Sequence, residues 1–291
     1  MSAPNWHRSD NPAVYNANAS FVYSAAATAP VLALLGLQAG ERILDLGCGS
    51  GELTAQLAAE LAPSGGSVVA VDVAQSMLDA AKRFETDNIR WHCVDGQQLE
   101  PWLDAQGERE AFDRVFSNAA VNDHEPLRLP MLADHSAPQM HWMNRDPAAV
   151  ARGVFAALKS DGTFAAELGG FGCATGVRGG MHAALRRRGV DPTLHDPWYY
   201  PTDHAYAEIL RAAGFTIDSI ALVPRPTKVP SGVRGWLKTF GGPFLAPLAD
   251  DAEREAVVAE VEELLRPDSY DADRDEWTVM YMRLRFRATK P

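Results

Sequence analysis

The run Asp45-Leu46-Gly47-Cys48-Gly49-Ser50-Gly51 constrains this chain more than any other stretch. A short apolar segment, Arg42 to Leu46, leads into it. Behind it, Leu53, Leu57, Ala58 and Leu61 recur at helical spacing. The reading is strand, tight loop, helix. Glycines let the backbone turn sharply and let a ligand approach without Cβ atoms in the way, and the helix start behind the loop offers unpaired N–H groups. A dinucleotide fold seats a pyrophosphate there with the spacing G-x-G-x-x-G. Here the spacing is G-x-G-x-G, and Asp45 stands two positions before the first glycine. A carboxylate in that place repels a diphosphate and attracts an ammonium group. The pattern points to a ligand carrying an amino-acid cation and speaks against a nicotinamide oxidoreductase.

The alternation then repeats. Ser67 to Asp72 is β-branched and reads as a buried parallel strand. Gln75 to Phe84 reads as a helix, Ile89 to Val94 and Phe112 to Ser117 as strands, and Asp146 to Leu158 as a helix with Pro147 in its first turn. Lys159 to Gly162 is a turn, Thr163 to Leu168 a fifth strand, Thr202 to Ala213 a helix, Phe215 to Leu222 a sixth strand, and Trp277 to Arg287 a long alternating strand at or near an edge. Such alternation implies a mostly parallel sheet with helices on both faces. The expected fold is α/β and Rossmann-like, with seven strands, in a single domain. Residues 1–40 form an N-terminal lid, 41–222 the core, 223–267 a proline-rich helical cap and 268–291 the last strand.

Open α/β sheets bind ligands at the carboxyl ends of their strands, and three more strand ends carry polar residues. Asp72 ends the second strand about 20 residues beyond the loop, a position suited to ribose hydroxyls. Asp95-Gly96 follows the third strand, where a carboxylate can accept from an adenine amino group. Ser117-Asn118 ends the fourth, facing the reacting part of the ligand.

Charge narrows the partner. Lys and Arg number 27 against 38 Asp and Glu, a formal net charge of −11. Nucleic-acid phosphates and anionic lipids repel such a chain, and the short run Arg186-Arg187-Arg188 reads as a solvated helix face. The expected partner is a small molecule, with neither nucleic acid nor membrane; oligomeric state is not legible. Cys48, Cys93 and Cys173 form no CxxC pair, the N-terminal residues lack an apolar signal core, and the apolar stretch from Ser24 to Leu37 is interrupted by Pro30 and Gly36. These features suit a cytoplasmic protein. Asp123, His124, Glu125 and His135 have metal-capable side chains without a ligand spacing, so no metal site is expected.

The segments Ile43 to Thr54, Ala70 to Lys82, Cys93 to Gly96 and Phe112 to Ala120 together resemble successive motifs of class I S-adenosylmethionine-dependent methyltransferases. Tyr15 with Phe21-Val22, and Val233-Arg234-Gly235-Trp236-Leu237 with Thr239-Phe240, resemble the trans-aconitate-methyltransferase-like, or methyltransferase type 11, group. The resemblance implies that Asp45, Gly47, Gly49 and Gly51 surround the methionine part of S-adenosylmethionine. It implies that Asp72 binds the ribose with Val73 beside the adenine, that Asp95 and Gly96 hold the adenine edge, that Asn118 lies near the sulfonium, and that Tyr15 closes over the cofactor. The implied activity is methylation of a small molecule such as a carboxylic acid. Hydroxyl- or nitrogen-directed methylation, and a non-catalytic cofactor-binding module, stay open as alternatives. His141-Trp142 lines the substrate pocket by the same resemblance, with His141 the one candidate base. Trp198-Tyr199-Tyr200 and Trp236 read either as an aromatic substrate wall or as core.

One stretch departs from the family pattern. Residues 121–139 separate Ser117-Asn118-Ala119-Ala120 from Met140-His141-Trp142, contain Pro126, Pro130 and Pro138, and show no periodicity. Without them the chain reads SNAAMHWMNRDP, close to the family. Valine codons begin with GT and glutamine can be encoded by CAG, the two ends of a spliced intron. The segment is therefore either a functional loop beside the site or a retained short intron.

Overall fold

In a computed structural model, the structure describes residues 25–118 and 146–291, without the side chains of 25 and 26. Tyr15, His141, Trp142 and the segment 121–139 lie outside the described residues. The first described helix is α1 (Ala25–Leu35). Then come β1 (Arg42–Leu46), α2 (Glu52–Leu61), β2 (Ser67–Asp72), α3 (Gln75–Ala81), β3 (Ile89–Cys93), α4 (Leu99–Gln106) and β4 (Phe112–Asn118). The second half holds α5 (Pro147–Ala157), β5 (Leu158–Gly169), α6 (Thr175–Arg187), α7 (Asp203–Ala212) and β6 (Thr216–Lys228). It ends with α8 (Gly232–Phe240), α9 (Gly242–Leu245), α10 (Asp251–Ser269), β7 (Tyr270–Asp271) and β8 (Glu276–Thr289).

The strands lie in the order β3-β2-β1-β4-β5-β8-β6, with β7 paired to β8. The first five are mutually parallel, and β8 runs antiparallel between β5 and β6. This is the expected Rossmann-like sheet; the two-residue β7 is the strand the sequence did not announce. Both faces of the central strands are covered, which is why they read as unbroken apolar runs. One face carries Leu44, Leu46, Val69, Val115, Phe164 and Phe286 under α4, α5 and α7. The other carries Ile43, Phe116 and Ala165 under α1 and α2, with Val31, Leu35 and Leu57.

Two expectations need correction. The sixth strand does not end at Leu222: Pro224 and Pro226 pair with Met282 and Met280 and lie inside β6. β6 is an edge strand, and an edge strand tolerates residues that cannot donate to a ladder. The cap helices accordingly start beyond Lys228. Second, α6 belongs with them. Val177 and Met181 of α6 share a buried cluster with Trp236 of α8, Phe244 of α9 and Val257 and Val261 of α10. A Cβ on Gly180 would stand 3.1 Å from Val261 Cγ1, and one on Gly176 2.8 Å from Leu265 Cδ2. These two glycines, one helical turn apart, let α10 lie close against α6. The arginine run is exposed at Arg186 and Arg187, as a solvated face would be, and Arg187 and Arg188 also pair with Glu260 of α10 across that contact.

Candidate active site

The loop after β1 takes the shape its glycines permit. Gly47, Gly49 and Gly51 have φ of 78°, 56° and 87°, the left-handed region that side chains disfavour. Gly47 and Cys48 donate their N–H groups to Val71 O at 2.8 and 3.0 Å, so the loop is moored to the end of β2. Gly51 meets protein as well: a Cβ there would lie 2.8 Å from Trp91 Cη2 and 2.9 Å from Ala81 Cβ. Its smallness therefore serves the seating of α2 against β3 and α3.

Two carboxylates flank the loop. Asp45, 2% exposed, accepts from Thr54 Oγ1 of α2 at 2.6 Å. Burial pushes its carboxyl up to about 7; the Thr54 hydroxyl opposes that rise and the Asp72 charge adds to it. Asp72 accepts from Gly49 N at 2.9 Å through Oδ2 and from Ala74 N at 2.8 Å through Oδ1. Its carboxyl is also raised, burial outweighing the amides of Ala74, Gly49 and Val73. An ionised carboxylate has about four acceptor positions, so each oxygen keeps capacity for a further donor. Val73 follows directly on the way into α3.

Asp95 is partly buried at the end of β3. It caps the following turn, accepting from Gln97 N at 2.9 Å, and Gly96 behind it is buried. At the end of β4, Ser117 donates to Leu46 O at 2.8 Å, and Asn118 Oδ1 is a buried acceptor with no partner among the described residues. The carboxyl ends of the neighbouring strands β3, β2, β1 and β4 thus carry Asp95, Asp72, Asp45 and Asn118 along one edge of the sheet.

Trp198 and Trp236 lie inside the cap, 5% and 3% exposed, with ring centroids 5.5 Å apart. Trp236 Nε1 donates to Tyr281 Oη at 2.7 Å. Tyr199, half-buried, packs instead on the main core, and burial raises its phenol.

Sequence reasoning passed over the most charged part of this edge. Glu167 of β5, in register with Asn118 of β4, is 1% exposed and binds three arginines. Arg225 Nη1 of β6 and Arg283 Nε of β8 each donate to its Oε1 at 2.8 Å, and Arg285 Nε of β8 donates to its Oε2. Burial alone would raise the Glu167 carboxyl, but Arg283, Arg225 and Arg285 hold it below the usual range. The guanidiniums of Arg225 and Arg283 also lie 5.8 and 5.9 Å from the Tyr281 ring centroid. One signal was available: Arg283, Arg285 and Arg287 alternate with Leu284 and Phe286 along β8, which puts the arginines on one face.

Among the described residues no group of metal-capable side chains converges, and no helix is long and apolar enough to cross a membrane. A family model described as a methyltransferase domain matches residues 43–162. The chain is 32% identical to an uncharacterized methyltransferase of Schizosaccharomyces pombe, over 95% of this chain and 96% of that one. It is 31% identical to trans-aconitate 2-methyltransferase of Deinococcus radiodurans, over 71% of this chain and 70% of that one. In fold it is similar to a Bacillus halodurans protein described as a methyltransferase, with a TM-score of 0.56 and 15% identity over 91% of this chain and 99% of that one. The glycine loop, the acidic strand ends and these relatives lead to one conclusion: the chain is an enzyme of the class I methyltransferases, which use S-adenosylmethionine as their methyl donor.

Proposed function

We propose that this methyltransferase acts on a carboxylate of a small acidic molecule, with its cofactor lying across the carboxyl ends of β1, β2, β3 and β4. The observation that carries the cofactor placement is the pair Asp45 and Asp72 on either side of the loop at Gly49. The residues fit the group. Asp45 offers a buried negative charge to an ammonium. Asp72, already fixed by two amides, keeps lone pairs for a ribose diol. The left-handed glycines bring backbone close without side chains. Val73 lies beside the adenine, and Asp95 and Gly96 bound its edge. Asn118 Oδ1 supplies a buried acceptor near the reacting end.

When bound, S-adenosylmethionine supplies an electrophilic sulfonium methyl. The chain's own part is to bind, orient and exclude water, holding the acceptor in line for displacement. A carboxylate acceptor is ionised at neutral pH and needs no proton removed, so the mechanism requires no general base. The Deinococcus relative named for trans-aconitate supports this acceptor class. Three free thiols, two of them buried, support a cytoplasmic setting.

The test is turnover. Release of S-adenosylhomocysteine is followed with trans-aconitate, related di- and tricarboxylates, phenols and amines. Turnover confined to the acids is the expected result. Turnover of a phenol or amine alone would replace the carboxylate reading, and calorimetric binding of S-adenosylhomocysteine without any turnover would favour the non-catalytic alternative.

A further inference from the structure

The cluster around Glu167 holds more positive charge than its fold needs. Three guanidiniums surround one carboxylate, and their side chains are only 16% (Arg225), 5% (Arg283) and 14% (Arg285) exposed. Among the described residues Glu167 is the one carboxylate paired with any of them. Burying a charge without a partner is costly, and apolar side chains of similar volume would join β5, β6 and β8 at least as well. A structural role alone therefore explains one arginine and leaves the others unaccounted for.

The hydrogen bonds are also incomplete. Arg225 Nε and Arg283 Nη2 are buried and have no acceptor among the described residues. A guanidinium presents five N–H donors in a fixed fork shaped for a carboxylate or phosphate. The two orphaned nitrogens belong to neighbouring arginines that already share Glu167 Oε1. Burial and the nearby Arg283 charge lower the affinity of Arg225 for its proton, whereas at Arg283 burial is outweighed, chiefly by the Glu167 charge, and the affinity is raised, so the shortfall of negative charge falls on Arg225. Position completes the case. Glu167 is the register partner of Asn118, at the end of the strand beside the methyl-transfer position, and ligands of open α/β sheets sit at this edge.

We infer that Arg225, Arg283 and Arg285, held in place by Glu167, form an anion subsite that anchors a second carboxylate of the acceptor, so that the substrate is a di- or tricarboxylic acid with one carboxylate gripped and another methylated. This rests on the carboxylate reading above and adds a requirement to it: a monoacid lacks the anchor. Glu167 acts as a positioning residue. Its Oε1 holds Arg225 and Arg283 and its Oε2 holds Arg285, which leaves Arg225 Nε and Arg283 Nη2 for the ligand.

Direct binding tests the subsite apart from turnover. The full chain, with and without saturating S-adenosylhomocysteine, is titrated calorimetrically with trans-aconitate, with the monoacid crotonate and with glycerol phosphate. The proposal expects saturable trans-aconitate binding, at least about tenfold weaker binding of the other two, and at least about tenfold weaker trans-aconitate binding in Arg225→Met with S-adenosylhomocysteine affinity unchanged. Arg225→Lys keeps the charge and loses the fork, so it should fall between the two; it carries the comparison if the methionine variant does not fold. Equal trans-aconitate affinity in wild type and variant, or none in either, overturns the subsite. Tighter binding of glycerol phosphate overturns the carboxylate assignment. Trans-aconitate binding that depends on Arg225 but yields no methyl transfer leaves the subsite standing and removes the proposed reaction instead.

Discussion

Asp45 is buried yet needed as an anion, and pH exposes the conflict. Its folded carboxyl titrates near 7, chiefly through burial, whereas an unfolded Asp titrates near ~3.9. Between those values the folded state binds the extra proton, so this group makes stability fall as pH rises from about 4 to about 7. Urea unfolding at about pH 5 and pH 8 should show a larger loss in wild type than in Asp45→Asn, which cannot ionise; identical slopes would mean the carboxyl is charged throughout. An ammonium ligand favours the ionised form, so S-adenosylhomocysteine affinity should rise over the same interval. Asp72→Ala removes two charged hydrogen bonds to the ribose, each worth about 1.5–3 kcal/mol. Binding should weaken by about 100-fold or more, and calorimetry showing unchanged affinity would take Asp72 out of the site. Both aspartates were legible in the sequence because their places are set by the glycine loop and by one strand length. Glu167, Arg225 and Arg283 were not, since whether a charged strand residue is buried depends on what three non-adjacent segments bring over it.

At the scale of the element, starts and stops were written in local chemistry. Thr202 accepts from Ala205 N at 3.1 Å and Asp146 from Ala149 N at 2.8 Å, so both helices begin where a capping side chain stands. The loop before α2 is the most demanding case. Gly51 combines a φ of 87° with a Cβ position 2.8 Å from the Trp91 ring. Gly51→Ala must strain the backbone and displace the indole, at a cost of about 1–3 kcal/mol. A urea midpoint equal to wild type would show that the loop can rearrange freely. Gly49→Val, at a φ of 56°, should abolish S-adenosylhomocysteine binding by placing a branched side chain beside the cofactor. What local chemistry did not reveal was β6 continuing through Pro224 and Pro226. That continuation depends on β8 having a free flank beside it, a property of the sheet and not of the segment.

Across the whole molecule, the strand order bears on the segment 121–139. β3 and β4 are separated by β2 and β1, three interstrand steps of about 4.8 Å, or ~14 Å in all. Asp146, at the start of α5, is tied near the end of β3, its N–H donating to Gln97 Oε1 at 2.8 Å. The link from Asn118 to Asp146 must cover that gap along the carboxyl edge. With residues 121–139 removed, 119, 120 and 140–145 remain, and the nine virtual bonds from Asn118 to Asp146 reach ~30 Å when extended. The shortened connection spans the gap with length to spare, so the long segment is not needed to close the fold. A chain lacking 121–139 should fold and bind S-adenosylhomocysteine at least as tightly as the full chain, because the deletion leaves Asp45, Asp72, Asp95 and Asn118 in place. If the segment is a retained intron, transcripts joining Ala120 directly to Met140 should also be found. A deletion chain that folds but loses binding, together with transcripts that uniformly contain the segment, would make it a working part of the site.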